Sequence, residues 1–256
     1  MQSFFNAAFR TPTFEFQRIS LSDASLSGIT LNVHYRLSNP NPIGLSLASV
    51  NYGLFIEGKQ VVAGTPGQGL SIAANGGSDL VFPAAIKFAD IAPVVQTFLS
   101  QDTARFKAQG SIGVSTPLGV LTLPLEREGT FEVPKMPKVE FRPPRVSSIS
   151  LSGATIEFPL AVQNRNSYAL PISGIVGALS IAGSNVGTLS TGNLGALDAS
   201  ATKELSMPLT VNFLGAASAV MAAVKGSPAN VSFQAQVQSG DAQVPLLVNQ
   251  LLTFVR

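Results

Sequence analysis

His34 is the only histidine among 256 residues. It falls on the polar side of an alternating stretch, so a Ser-His-acid group would have to be assembled from distant parts of the chain. One imidazole cannot build a multi-histidine metal centre. With no cysteine there is no disulfide, thiolate zinc site, iron–sulfur cluster or thiol nucleophile. The carboxylates are scattered. Their densest group, Glu126, Glu128 and Glu132, is interleaved with Arg127. Such a pair is conceivable for acid–base work, but the alternation fits the wet face of an edge strand, where charges discourage foreign pairing. The glycines of 64–69 imitate a phosphate loop, yet the Lys-Ser/Thr ending is missing and Leu70 opens no helix. That stretch reads as a turn. Asn230-Val231-Ser232 fits a glycosylation sequon, a pattern short enough to arise by chance. The chain is therefore expected to be no enzyme and to need no metal or cofactor.

The elements that position these residues begin with 25–42. Ile29, Leu31, Val33, Tyr35 and Leu37 alternate with Thr30, Asn32, His34, Arg36 and Ser38. A period of two predicts a strand with one buried face. It runs into Asn39-Pro40-Asn41-Pro42. Each proline lacks an N–H and pushes the asparagine before it toward an extended backbone. The asparagine side chains are free to bond nearby backbone, so a rigid polar corner should close the strand.

The same stretch returns after a shift of 125 residues, as 150–167. Ser25, Leu26, Ser27 and Gly28 match Ser150, Leu151, Ser152 and Gly153; Asn39 and Asn41 match Asn164 and Asn166; Ile56 and Gly58 match Ile181 and Gly183; Pro83 and Phe88 match Pro208 and Phe213. A period this long marks a duplicated domain, not a solenoid. The expected layout is a first domain over 1–134, a basic, Pro-rich linker over 135–145, and a second domain over 146–256. In each, about seven strands and one helix suggest a β-sandwich. The helix signal is Ile91, Val94, Val95, Phe98 and Leu99, with Asp90 as N-cap and Pro93 in the first turn; its counterpart is Leu214, Ala217, Val220, Met221 and Val224.

Charge is sparse: 45% of residues are apolar and 12% charged. Residues 1–134 sum to −1, 135–145 to +3 and 146–256 to 0. A basic patch of eleven residues is too small for a nucleic-acid footprint. It reads as a solvated linker, the sharper reading being contact with anionic headgroups. The second domain has only 8 charged residues among 111, which leaves surface for a partner, a membrane or an apolar ligand. The N-terminus carries Phe4, Phe5, Phe9, Phe14 and Phe16. Part of that lead-in should pack on the first domain. It lacks the pattern of a signal peptide, so Met1 is either a native start or one placed where a targeting segment was removed.

These residues resemble a family. The strand to Leu37, the Asn39-Pro40-Asn41-Pro42 corner, the Phe55-Ile56-Glu57-Gly58 turn and Leu80–Phe88 before a helix are similar to the group 2 late embryogenesis abundant proteins, or water-stress and hypersensitive-response domain. Asn39, Pro40 and Asn41 match its hallmark. The second copy keeps Asn164 and Asn166 but has Arg165 in place of proline. The resemblance implies an all-β fold of two tandem sandwiches, fibronectin type III or immunoglobulin-like, each with a short helix. It implies a non-catalytic role in desiccation and cold tolerance. Client proteins, a membrane surface or lipid are the expected partners, without nucleic acid, and a monomer is favoured. A lipid or apolar-ligand module is the alternative. Bacterial members are often exported, which implies the cell envelope or periplasm, with a lipid anchor in the full-length form; the cytoplasm is the alternative.

Overall fold

The computed structural model describes residues 9–64, 71–91, 99–116, 119–213 and 218–255. Most of the chain divides into two compact units, with the main boundary between Val133 and Pro134 and with Ala24–Ser27 grouped with the second. In the first, β1 (Thr13–Ser22), β2 (Gly28–Ser38) and β6 (Gly77–Lys87) form one antiparallel sheet in the order β1-β2-β6. The opposing sheet runs β4 (Lys59–Gly64), β3 (Leu45–Ile56), β7 (Thr103–Thr116), β8 (Gly119–Glu132), with the short β5 (Ser71–Ile72) on β3. Leu31, Val33, Tyr35 and Leu37 of β2 are buried, as are Leu54, Ile56, Ala108 and Ile112 across from them. The period-two pattern thus sets which face of each sheet enters the core.

The second unit repeats this plan. One sheet runs β11 (Gly153–Gln163) and β16 (Thr202–Asn212), with β9 (Lys138–Phe141) and β10 (Arg145–Ile149) sharing the other side of β11. The other runs β14 (Ser184–Ser190), β13 (Gly174–Ile181), β17 (Ala229–Ser239), β18 (Ala242–Leu252), and a small ribbon joins β12 (Leu170–Ile172) to β15 (Gly195–Leu197). The β3–β4 and β13–β14 turns are copies. Glu57 and Gly58 have φ of 47° and 79°, Ala182 and Gly183 47° and 80°. Positive φ at both central residues is what a tight two-residue hairpin demands.

Two expectations change. The stretch 135–145 is not a free linker, because Val139 pairs with Val162 and Phe141 with Leu160 in the β9–β11 ladder. It is the second copy's version of β1. In the first copy β1 is continuous and absorbs an irregularity between Phe16 and Arg18. In the second copy the ladder holds as far as the Arg142 N–H, which donates to the Pro159 carbonyl at 2.9 Å; Pro143 and Pro144, which follow opposite Phe158, have no N–H to give, and the strand splits into β9 and β10. Asp90 is not an N-cap either: helix α1 (Phe88–Ile91) begins two residues earlier, because fully buried Phe88 ends the strand and opens the helix in one step. Asp90 lies inside the first turn, and Lys59 Nζ donates to the carbonyl of Asp90 at 3.0 Å. Val94, Val95, Phe98, Pro93, Leu214, Ala217, Phe4, Phe5 and 65–70 lie outside the described residues. In the second copy α2 (Ser218–Val224) buries Val220, Ala223 and Val224 and stops at Gly226, whose φ of 102° suits a left-handed cap.

In the sheets of three or more strands, four edge strands carry one mid-strand proline each: Pro83 in β6, Pro124 in β8, Pro208 in β16 and Pro245 in β18. They face Asn32, Ser111, Glu157 and Gln236. A proline has no N–H to give its neighbour, so each must occupy a non-hydrogen-bonded pair and turn its ring nitrogen to the open side.

Candidate functional site

The corner that closes β2 is made by two buried amides. Asn39 Nδ2 donates to the carbonyls of Ile43 at 2.7 Å and Ala73 at 3.1 Å. Its Oδ1 accepts from the Asn41 N–H and the Asn41 Nδ2, both at 3.0 Å. Asn41 then holds the chain as it approaches β1. Its Oδ1 accepts from the Arg10 N–H at 2.7 Å, and its Nδ2 donates to the Arg10 carbonyl at 2.7 Å. The main chain adds Asn39 N–H to Gly76 carbonyl and Asn75 N–H to Asn41 carbonyl, each 2.8 Å. Both donors of each amide are engaged, which is how buried polar groups offset their lost hydration.

The second copy reproduces this network at the same 125-residue shift. Asn164 Nδ2 donates to the carbonyls of Tyr168, Leu197 and Asp198 at 2.7, 3.0 and 3.0 Å. Its Oδ1 accepts from Asn166 N–H and Nδ2 at 3.0 and 2.8 Å. Asn166 grips Lys135 as Asn41 grips Arg10, at 2.6 and 3.0 Å. Pro40 and exposed Pro42 are replaced by Arg165 and Ser167. Arg165 Nε donates to the Met136 carbonyl at 3.2 Å instead. The residues Arg10 and Lys135 could not be picked out from sequence, since they contribute only backbone groups. The 125-residue shift was the one signal that linked them.

His34 lies on the outer face of the β1-β2-β6 sheet, with its Nε2 2.8 Å from Ser20 Oγ. Burial first, then the nearby Arg18 charge, lowers its pKa, while Asp79 acts the other way. Asp79 is itself bonded to Arg36 at 2.9 Å, so the nearest acid is committed to a guanidinium and not to the imidazole. The dense carboxylates are likewise committed. Lys107 Nζ bridges Glu126 at 3.0 Å and Glu128 at 2.8 Å, while Glu132 sits across from Thr103 at the end of the ladder. Hydrogen bonds to Lys107 lower the Glu128 pKa, and the same bonds raise that of Lys107. Glu57 accepts from the Arg105 N–H at 2.6 Å and its guanidinium at 3.1 Å, and both bonds lower its pKa. No cluster among the described residues could hold a metal ion, and no helix among them is long and apolar enough to cross a membrane.

The matching surface of the second copy is different in kind. None of β13, β14, β17 and β18 contains a charged residue. Strand β17 turns Asn230, Ser232, Gln234, Gln236 and Gln238 outward, and β18 sets Leu251, Asn249, Leu247, Pro245 and Gln243 opposite them. Leu247 and Leu251 are 60% and 69% exposed. Asn230 of the sequon is exposed on this face. The sheet offers paired amide donors and acceptors with isolated apolar side chains between them, and no acidic or basic side chain.

The sequence model of a family described as late embryogenesis abundant protein matches residues 34–129 and again 159–248. No curated protein matches the chain. Among solved structures, a crystal structure of a protein from Archaeoglobus fulgidus is 11% identical, covers 48% of this chain and 95% of its own, with a TM-score of 0.35. The solution structure of a putative late embryogenesis abundant protein is 18% identical over 52% of this chain and 79% of its own, with a TM-score of 0.43. A solution structure of a protein from Arabidopsis thaliana is 15% identical over 50% and 86%, with a TM-score of 0.41.

Proposed function

This chain belongs to the late embryogenesis abundant protein family, and from that premise we propose that it protects other proteins or the cell envelope during water stress by surface contact. Membership points to a stress-related, non-enzymatic role. The observation that carries the finer reading is the uncharged outer face of the β14-β13-β17-β18 sheet. A charge would have to shed its hydration to lie against a drying partner; amides and leucines shed far less. Each Gln or Asn can also donate and accept, so it replaces lost water at either kind of polar group. In this reading the twin asparagine corners are architectural: they hold the sheets in place and touch no ligand. A position at the cell envelope belongs to the same proposal.

The test is protection of a labile enzyme through cycles of drying and rewetting. The wild-type chain should preserve activity. A variant with Gln234→Lys, Gln236→Glu and Leu247→Glu, which sets opposite charges across the Gln234–Leu247 pair, should lose most of that effect while melting normally. A control carrying Lys107→Gln and Glu128→Gln in the first copy should protect as well as wild type. Undiminished protection by the face variant would refute the role given to this surface.

A further inference from the structure

A Ser-Leu-Ser-Gly turn stands ahead of β2 and again ahead of β11, and the two turns meet different surroundings. Their shape is the same. Ser25 Oγ lies 2.8 Å from Ser27 Oγ and accepts from the Ser27 N–H at 3.2 Å; Ser150 Oγ lies 3.2 Å from Ser152 Oγ and accepts from the Ser152 N–H at 3.3 Å. This local bonding holds the intervening leucine at the tip. Leu151 is fully exposed there, with Ile149 half exposed beside it. Leu26 is 0% exposed. The second unit includes Ala24–Ser27, and in it the Leu26 N–H donates to the buried Ser239 Oγ at 3.1 Å. The serines press on the next residue so closely that a Cβ on Gly240 would lie 2.5 Å from Ser27 Oγ. One turn is a seated plug; the other is the same plug with nothing around its leucine.

The seat has a counterpart as well. Gly174 pairs with Gln238 as Ser49 pairs with Gly113, so Ser115 stands in the first unit where Gly240 stands in the second. An open hollow of about 610 Å³ adjoins Ser115, lined also by Gly44, Leu45, Ser46, Ser71 and Ile72. Buried Leu45 and Ile72 give it an apolar floor, and exposed Ser46 and Ser71 give it a rim of hydroxyls. No residue of the lining is charged. An apolar tip flanked by two serines fits such a surface: the leucine meets carbon and the hydroxyls meet hydroxyls.

We propose that the Ser150–Gly153 turn of one chain seats in this hollow on a second copy of the chain, Leu151 inward, as Ala24–Ser27 seats at Ser239 and Gly240. A second copy is the fitting partner because each chain carries one bare plug and one open seat, and its own second unit already holds the same turn against the matching end of a sheet. The contact joins unlike surfaces, so it runs head to tail, closing into a ring or continuing as a row according to the rotation between neighbours. One leucine and a few hydroxyls cover far less than a standard interface. Ser115 also carries the Cβ that Gly240 has no room for. The association is accordingly weak, with a Kd on the order of 1 mM. This contact is separate from the neutral sheet face and does not depend on the protective role.

The experiment follows backbone amide shifts of the full chain by NMR as its concentration rises to about 1 mM. Concentration-dependent shifts are expected at 44–46, 71–73, 115 and 150–153. Leu151 and Ser71 are both exposed, so Leu151→Ser and Ser71→Arg leave the fold intact. The first removes the plug and the second fills the hollow, and each variant alone should lose the concentration dependence. An equimolar mixture of the two should regain it, since one chain supplies the plug and the other the seat, and should stop at pairs. A wild type whose shifts do not change with concentration, undiminished changes in Leu151→Ser, or a mixture that behaves as its separate parts would overturn the proposal. Changes confined to β17 and β18 would overturn it too, and would assign self-association to the neutral face.

Discussion

In the first copy Lys107 ties Glu126 to Glu128 across the outer face of the larger sheet. At the matching places of the ladder the second copy has Ser232, Leu247 and Asn249. Yet the corners share one plan, from the Asn39 and Asn164 amides to the Arg10 and Lys135 main chains, and differ by a single added carbonyl on Asn164. The difference has an energetic cause. An exposed ion pair contributes little and can be exchanged without unfolding anything. A buried amide with several partners cannot change alone, since each orphaned group is penalised. Duplication therefore fixed the interior wiring and left the surface free to acquire separate tasks.

Several substitutions would break or sharpen this contrast. The largest effect is expected from Phe233→Ala, which gives the second copy the alanine that the first has at the matching Ala108. It should cost about 3–5 kcal/mol, read by urea unfolding, and should affect only the transition of the second copy. Asn39→Ala and Asn164→Ala should each cost roughly 1–3 kcal/mol. Asn164 should be the more sensitive of the two, since its amide donates to three carbonyls and that of Asn39 to two. Calorimetry in which both variants shift a single common transition would show that the copies do not unfold separately. Arg165→Pro restores the first copy's corner chemistry in the second. It should gain about 0.4–1 kcal/mol by restricting the unfolded chain, less whatever the Arg165–Met136 bond contributes.

The smallest effect is a pH dependence. Hydrogen bonds from Arg105 hold the Glu57 pKa below its ordinary value. Its stabilisation is therefore complete above the ordinary carboxylate pKa and is lost as pH falls through the lowered one. The second copy has Ala182 at that turn, so only the first copy's melting temperature should carry this component. Glu57→Gln should remove it, and high salt should weaken it.

Strand β2 and its corner were legible because alternation and Asn-Pro chemistry act over neighbouring residues. Strand β1 was not. Phe14 and Phe16 are in one phase, Ile19 and Leu21 in the other, and the slip at Gln17 hides a strand that bulges rather than ends. The β9–β10 segment was read as a connector because its prolines suit one equally well; only the partner strand β11 distinguishes the two, and that partner is remote in sequence. The bonds from Asn41 to Arg10 and from Asn166 to Lys135 end on backbone atoms, which leave no mark on residue type. The neutral second face was legible as scarce charge, but its concentration on one sheet depends on register. The buried Tyr35 hydroxyl, which has no hydrogen-bond partner among the described residues, was invisible, since a strand pattern shows which side chains turn inward and not whether they find partners there.

The four edge prolines have a consequence if the protein acts, as proposed, during water loss. Drying raises every solute toward concentrations at which bare strand edges seed one another and grow into cross-β fibres. Pro83, Pro124, Pro208 and Pro245 each delete a donor from the middle of an open rim. An incoming strand meets a gap there, and its registry fails. Crowded chains are then denied a continuous rim on which to pair.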